Sequence, residues 1–409
     1  MTLGLFQGWG IELEYMIVDA TTLAVVPCCD ELLRELAGEQ VNEVEAGPLR
    51  ISNELALHVV ELKTNGPAPK LDGVAQAFKG GITLLSEKLA ARGAMLLPTA
   101  MHPTMDPAEG KLWPHDGKPI YATYDRVFGT RGHGWVNLQS MHVNLPFDGD
   151  AQLGKLHAAI RAALPILPGL AASSPVVDGA LAPSLDMRLR VYLGNQRKIP
   201  AIIGQVIPEP VWTEADYRAQ ILAPMYRDIA PLDPDGELQD EWLNSRGAIV
   251  RFDRSAIEIR LIDTQEQPAA DVAIAWLVSF LLRELCDEKF VSLAELQALD
   301  TGALATVLTA GIDDADDAIV EHAPLLRALG WTGTPPRQSD LWNAIVERAW
   351  EHSFPPPILR VPIMTILERG CLARRIRHAL GDAPTRARID EVWHALARCL
   401  ARGEPFIGA

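Results

Sequence analysis

An α+β fold, with an antiparallel sheet covered by helices and followed by a helical carboxy-terminal region, is predicted by three observations. Four apolar segments within the first 262 residues alternate at period two and place polar side chains on one face. Stretches with apolar residues at helical spacing lie between them. Beyond about residue 290 only helical patterns and loops follow, the loops marked by Gly333 and by Pro355, Pro356 and Pro357.

The first strand covers residues 10–18, with apolar side chains at odd positions and Glu12, Glu14 and Met16 on the other face. Residues 55–62, 140–145 and 255–262 repeat the pattern. Helical spacing predicts a helix over 71–92, closed by Gly93, and another over 151–172, broken by Pro165 and Pro168. Pro268 suits a first helical residue, so 269–285 follows as a long apolar helix. Ser292 and Glu295 have the spacing of a capping box, which predicts another helix start. The chain thus divides into a mixed strand and helix region, 1–290, and a helical region, 291–409. The second either packs on the first or forms the subunit interface of a homo-oligomer.

Composition narrows the function. Among 409 residues, 37 Lys and Arg stand against 53 Asp and Glu, a formal charge of −16, which argues against a nucleic-acid partner. The longest uncharged apolar run, residues 272–282, falls well short of the ~20 residues of a membrane span. Five cysteines, of which only Cys28 and Cys29 are close in sequence, provide neither a disulfide framework nor a zinc motif. The apolar amino terminus lacks a basic flank and meets Glu12 at once, unlike a secretion signal. These features predict a reduced, cytoplasmic protein without membrane attachment.

The strands also deliver a constellation. Glu12 and Glu14, Glu54 and Glu61, His142 with Asn144, and Glu258 with Arg260 all lie on otherwise apolar segments. Five glutamates do not share one sheet uncompensated, because buried like charges repel, and divalent cations are the natural counter-charge. Oxygen ligands plus one imidazole suit Mg²⁺ or Mn²⁺. Glu54 and Glu61 are an odd number of residues apart, so an unbroken strand would place them on opposite faces. Either a bulge intervenes or Glu54 lies in the turn after Ser52 and Asn53. Lys63 shares the face of Glu61 and reaches a phosphate or a carboxylate. Arg246, Arg251, Arg254 and Arg260 supply guanidinium groups for phosphoryl oxygens or substrate carboxylates. The glycine-rich segment 128–134 has the flexibility to cover a site, and His133 within it reads as a loop residue of no special role. P-loop, Rossmann, nucleophile-elbow and zincin motifs are missing from the sequence, so a nucleotide here would be held through metal ions.

Gly10-Ile-Glu-Leu-Glu14, Glu61-Leu-Lys-Thr-Asn-Gly-Pro67, Met141-His-Val-Asn144 and Ile257-Glu-Ile-Arg-Leu-Ile-Asp-Thr-Gln265 follow one another in a familiar order. Over roughly 8–290 the chain resembles the glutamate-cysteine ligase and carboxylate-amine ligase family. The resemblance implies a glutamine synthetase-like fold, a curved antiparallel sheet forming a funnel with ATP at one end and the acceptor acid at the other. It also implies one metal on Glu14, Glu54 and Glu61, and phosphate-bridging metals on Glu12, His142 and Glu258. Arg260, and more loosely Arg254, would face the transferred phosphoryl group, with Lys63 beside the nucleotide. The implied reaction is ATP-dependent: a carboxylate is phosphorylated and an amine displaces phosphate. Glutamate and cysteine are the implied substrates, as in glutathione biosynthesis. Two alternatives keep the same residues: a metal-dependent amide hydrolase, and a non-catalytic relative that binds nucleotide or amino acid.

Overall fold

The computed structural model describes residues 2–408. Ten strands form: β1 (Gly10–Asp19), β2 (Glu43–Ala46), β3 (Leu49–Asn53), β4 (Val59–Thr64), β5 (Ala94–Leu97), β6 (Ser140–Pro146), β7 (Val176–Val177), β8 (Ala180–Leu181), β9 (Ala248–Arg251) and β10 (Ala256–Asp263). Eight of them make one antiparallel sheet in the order β2-β3-β4-β1-β6-β10-β9, with β5 pairing farther along β1, while β7 and β8 form a separate ribbon. A register shift between Ile259 and Ile262 interrupts the pairing of β10 with β6.

Strand parity sorts the two faces. Ile11, Leu13 and Tyr15 of β1, Val60 and Leu62 of β4, Met141 and Val143 of β6, and Ile257 and Ile259 of β10 are buried in one core. Burial of each such side chain contributes about 1.5–3 kcal/mol. The helices Val74–Ala90, Gly149–Ala163 and Pro268–Cys286 cover that face. Gly81 sets how closely the first of them approaches, since a Cβ there would stand 2.7 Å from Leu62 and 2.8 Å from Leu49.

The other face is polar at one end and apolar at the other. Along β1, Glu12 and Glu14 give way to Met16 and Val18, which pack with Val59 and Leu97 against Ile376 and Trp393. Those two residues belong to the carboxy-terminal helices Leu372–Leu380 and Arg386–Arg402, which therefore pack on the sheet. They leave the acidic end open.

Several expectations take a corrected form. The strand expected over 55–62 starts only at Val59, because residues 54–58 form an irregular turn pinned by an Ala56–Leu112 bridge. Glu54 accordingly lies in a turn and escapes the parity conflict. The helix expected over 151–172 breaks after Ala163, at the position of Pro165, and resumes at Pro168. Pro268 opens its helix, and the capping box at Ser292 and Glu295 forms. His133 begins a short helix and binds Asp178 at 3.0 Å, so it is not a free loop residue. Among the described residues no helix is long and apolar enough to cross a membrane.

Candidate active site

Register assembles the site. Glu14 stands opposite Glu61, while Glu12 stands opposite Lys63 on one side and His142 on the other. Glu258 stands opposite Asn144. Directly opposed side chains on one face have Cβ atoms about 5 Å apart, so four strands suffice to bring together residues scattered over the chain. Gly10 makes room at this row, since a Cβ on it would meet the Asn144 side chain at 2.9 Å.

The side chains form a connected polar network. His142 Nδ1 lies 2.9 Å from Glu12 Oε2, and Asn144 donates to Glu12 Oε1 at 3.0 Å. Ser140 bridges the next position, donating from its backbone N–H to Glu14 Oε2 at 2.6 Å, with its hydroxyl 2.9 Å from His142 Nε2. Glu61 accepts from Ser52 Oγ at 2.7 Å and from Lys63 Nζ at 3.0 Å, and Lys63 also reaches Glu43 at 2.8 Å. Glu258 is held by Arg260 Nε at 2.8 Å, with Arg251 at 3.6 Å and His142 at 3.8 Å.

Electrostatics shows strain in this arrangement. Burial pushes the Glu54 carboxyl well above its usual range, and the charges of Glu61 and Glu14 push it further. Burial, followed by the charge of Glu12, pushes Glu61 up to about 7. Burial opposes charge on His142, but its bond to Glu12 and the charge of Glu14 raise it to about 9. Glu12 is also buried, yet the same bond and the charge of His142 hold it down at about 2. Two triplets, Glu12, Glu61 and His142, and Glu14, Glu54 and Glu61, each place ligand atoms within 4.8 Å of one another. Their carboxylate oxygens and single imidazole match what a hard divalent cation accepts.

Cavities open on both sides of the row. One, of about 430 Å³, is walled by Glu14, Glu54, His142, Arg188, Arg260 and aromatic rings that include Tyr124 and Trp242. The other, of about 650 Å³, is walled by Glu12, Arg50, Lys63, Asn144 and Arg254. His142 belongs to the first and Glu12 to the second, so their 2.9 Å contact lies between the two cavities.

All six expected ligands gather here. Glu61 belongs to both triplets, and Glu258 lies at their edge, 3.8 Å from His142 and 2.8 Å from Arg260. Arg254 is separated from Arg260. It is exposed beside Asp253 at the mouth of the larger cavity, whereas Arg260 lines the smaller one. Arg246 turns away to pair with Glu209 at 2.5 Å. Sequence reasoning missed Arg188, which is buried, binds Asp263 at 2.5 Å and lines the smaller cavity. Its partner is 75 positions away, and no local pattern in the sequence marks it.

Comparison with known proteins places the chain in a family. A family model described as Glutamate-cysteine ligase family 2 matches residues 9–328. A protein of Archaeoglobus fulgidus, described only as uncharacterized, is 31% identical over 399 residues, covering 97% of this chain and 100% of that protein. The crystal structure of glutamate–cysteine ligase from Francisella tularensis in complex with AMP superposes with a TM-score of 0.57 at 14% identity, covering 100% of this chain and 91% of that one. A bifunctional glutathione synthetase from Pasteurella multocida superposes with a TM-score of 0.51 at 13% identity, over 96% of this chain and 53% of that one. At these identities the two structures establish the fold alone. With the family model spanning most of the chain, the protein belongs to glutamate-cysteine ligase family 2 and is an ATP-dependent carboxylate-amine ligase.

Proposed function

We propose that the chain joins the γ-carboxyl group of glutamate to the amine of cysteine, giving γ-glutamylcysteine, with Mg²⁺ or Mn²⁺ on the acidic row. One observation carries this reading: two cavities of different character lie on either side of the Glu12–His142 contact. The larger, with Lys63, Arg50 and Arg254, suits a polyphosphate. The smaller, with Arg188 and Arg260, suits an amino acid rich in carboxylate. The AMP bound by the Francisella ligase supports a nucleotide in one of them.

Glu14, Glu54 and Glu61 would hold one cation and Glu12, His142 and Glu61 a second, with Glu258 at their edge. Bound there, such cations neutralise phosphate oxygens and align them with the acid. The chain's own groups do the rest. Arg260, fixed by Glu258, meets the charge of the transferring phosphoryl group as the catalytic cation. Lys63 and Arg254 bind the nucleotide tail from the outer side. A glutamate γ-carboxylate oxygen bonds to the terminal phosphorus as the bond to ADP breaks. The amine nitrogen then bonds to the acyl carbon, phosphate departs with the C–O bond, and the amine proton passes to solvent. His142, raised to about 9, must lose its proton to become a ligand, so loading the site releases a proton.

We assign residues 1–290 as the catalytic unit, 291–409 as its helical buttress, and the cytoplasm as its place, in keeping with five free cysteines. The test is ADP release measured with Mg²⁺, ATP, glutamate and cysteine together and with each omitted. Release that needs both partners is expected. ADP release with another amine but none with cysteine would overturn the named substrate, and cleavage of γ-glutamylcysteine without nucleotide would favour the hydrolase alternative.

A further inference from the structure

The helix Pro268–Cys286 is buried on every side but one. Trp276, Phe280 and Arg283, spaced i, i+4 and i+7, form its single incompletely buried stripe. That stripe walls a third cavity, of about 620 Å³, which shares no lining residue with the two reaction cavities. Its floor is aromatic: the Trp276 and Phe280 rings lie within 18° of parallel with centroids 6.3 Å apart. Trp9 joins them, its indole N–H donating to Ser279 Oγ at 2.9 Å.

The charges around this floor are unmatched. Arg283 lies over the rings of Phe6 and Trp9 at 4.5 and 5.7 Å and donates to the Phe6 carbonyl at 3.3 Å. Among the described residues neither it nor Lys70 has a carboxylate within ion-pair distance, and neither Asp72 nor Asp287 has a cation. Glu284 in the same wall differs, being satisfied by Lys289 at 2.6 Å and Arg348 at 2.8 Å. Two unpaired cations, two unpaired carboxylates and an aromatic floor complement a small zwitterion with an apolar body. The carboxylates disfavour a nucleotide polyphosphate.

We propose that this cavity is a second small-molecule site, for an α-amino acid or short peptide with an aromatic or apolar side chain. Its carboxylate sits at Arg283 and Lys70, its ammonium at Asp287 and Asp72, and its side chain on Trp276 and Phe280. The site is placed to influence turnover. Trp9 directly precedes the strand that carries Glu12 and Glu14, and its main chain pairs with Ala68 at 2.9 and 2.8 Å, next to the segment bearing Lys70. An occupant therefore bears on β1 from behind.

Titration of the full chain with L-phenylalanine and with L-phenylalanylglycine, followed by tryptophan fluorescence and calorimetry, tests the site. Phenylacetate and phenethylamine, each lacking one charge, serve as controls. Saturable binding of the zwitterions is expected below about 10 mM, with both controls roughly 10-fold weaker. Arg283→Gln and Asp287→Asn should each weaken binding roughly 10-fold while ADP formation without the probe stays unchanged. A Glu258→Gln chain should keep the binding, which separates this site from the reaction cavities. Lack of saturation by either zwitterion, equal binding in both cavity variants, or loss of binding in Glu258→Gln would overturn the proposal.

Discussion

Two sets of buried carboxylates divide the work of this molecule. Glu266, Asp263 and Glu284 each have an arginine of their own: Arg375 at 2.7 Å, Arg188 at 2.5 Å and Arg348 at 2.8 Å. Glu14, Glu54 and Glu61 instead crowd together, and among the described residues only Lys63 and His142 come within ion-pair distance of them. One-to-one pairing pins distant segments, as when Arg375 ties a carboxy-terminal helix to the end of β10. Shared and incomplete pairing leaves negative charge for something else to neutralise. Burial alone therefore does not single out the carboxylates proposed to bind metal, whereas the ratio of carboxylates to cations around them does.

Breaking the paired set should cost most in stability. Glu266→Ala strands Arg375, which is only 1% exposed, and urea unfolding should show a loss of about 3–5 kcal/mol. An unchanged midpoint would erase the contrast between the two sets. Breaking the shared set should instead cost activity. Glu14→Gln within that set, and Glu258→Gln beside it, which leaves Arg260 without its carboxylate, should each lower ADP formation about 100–1000-fold while circular dichroism shows an intact fold. Near wild-type turnover in both variants would remove the acidic row from the reaction.

A smaller effect sharpens the same contrast through pH. Glu61 is raised from 4.5 to about 7, so its contribution to stability is fully present below 4.5 and is lost as pH rises through 7. His142, raised from 6.5 to about 9, acts in the same direction: its contribution is present below 6.5 and lost as pH rises through 9. Glu12, lowered to about 2, contributes above 4.5 and loses this as pH falls through 2. Without divalent cations the melting temperature should therefore decline from about pH 4.5 to 9, and saturating Mg²⁺ should flatten that decline. Glu61→Gln should remove its lower half. A rise in melting temperature over this range without Mg²⁺ would contradict the assigned charges.

Much of the acidic row is legible in the sequence because a strand exposes its parity. Glu12, Glu14, Glu61, His142 and Glu258 stand out as polar positions in apolar, alternating segments, and their order along the chain matched that of the family. The β2–β3 hairpin is not among the elements expected from sequence, since its first strand is only four residues long and partly buried, too short for its alternation to stand out. Leu55, Ala56 and Leu57 extended an apolar pattern that tertiary contacts fold into a turn, so a strand was placed four residues early. Arg188, and the sharing of Glu61 between the two triplets, depend on packing between distant segments, which no local period encodes.

Titration of the full chain with Mn²⁺ in the presence of a non-hydrolysable ATP analogue, read by electron paramagnetic resonance, tests the central claim most directly. The expected result is two bound ions per chain in the wild type and the loss of both in Glu61→Gln, because that side chain serves both triplets. No bound manganese, or the same two ions in Glu61→Gln, would contradict the account.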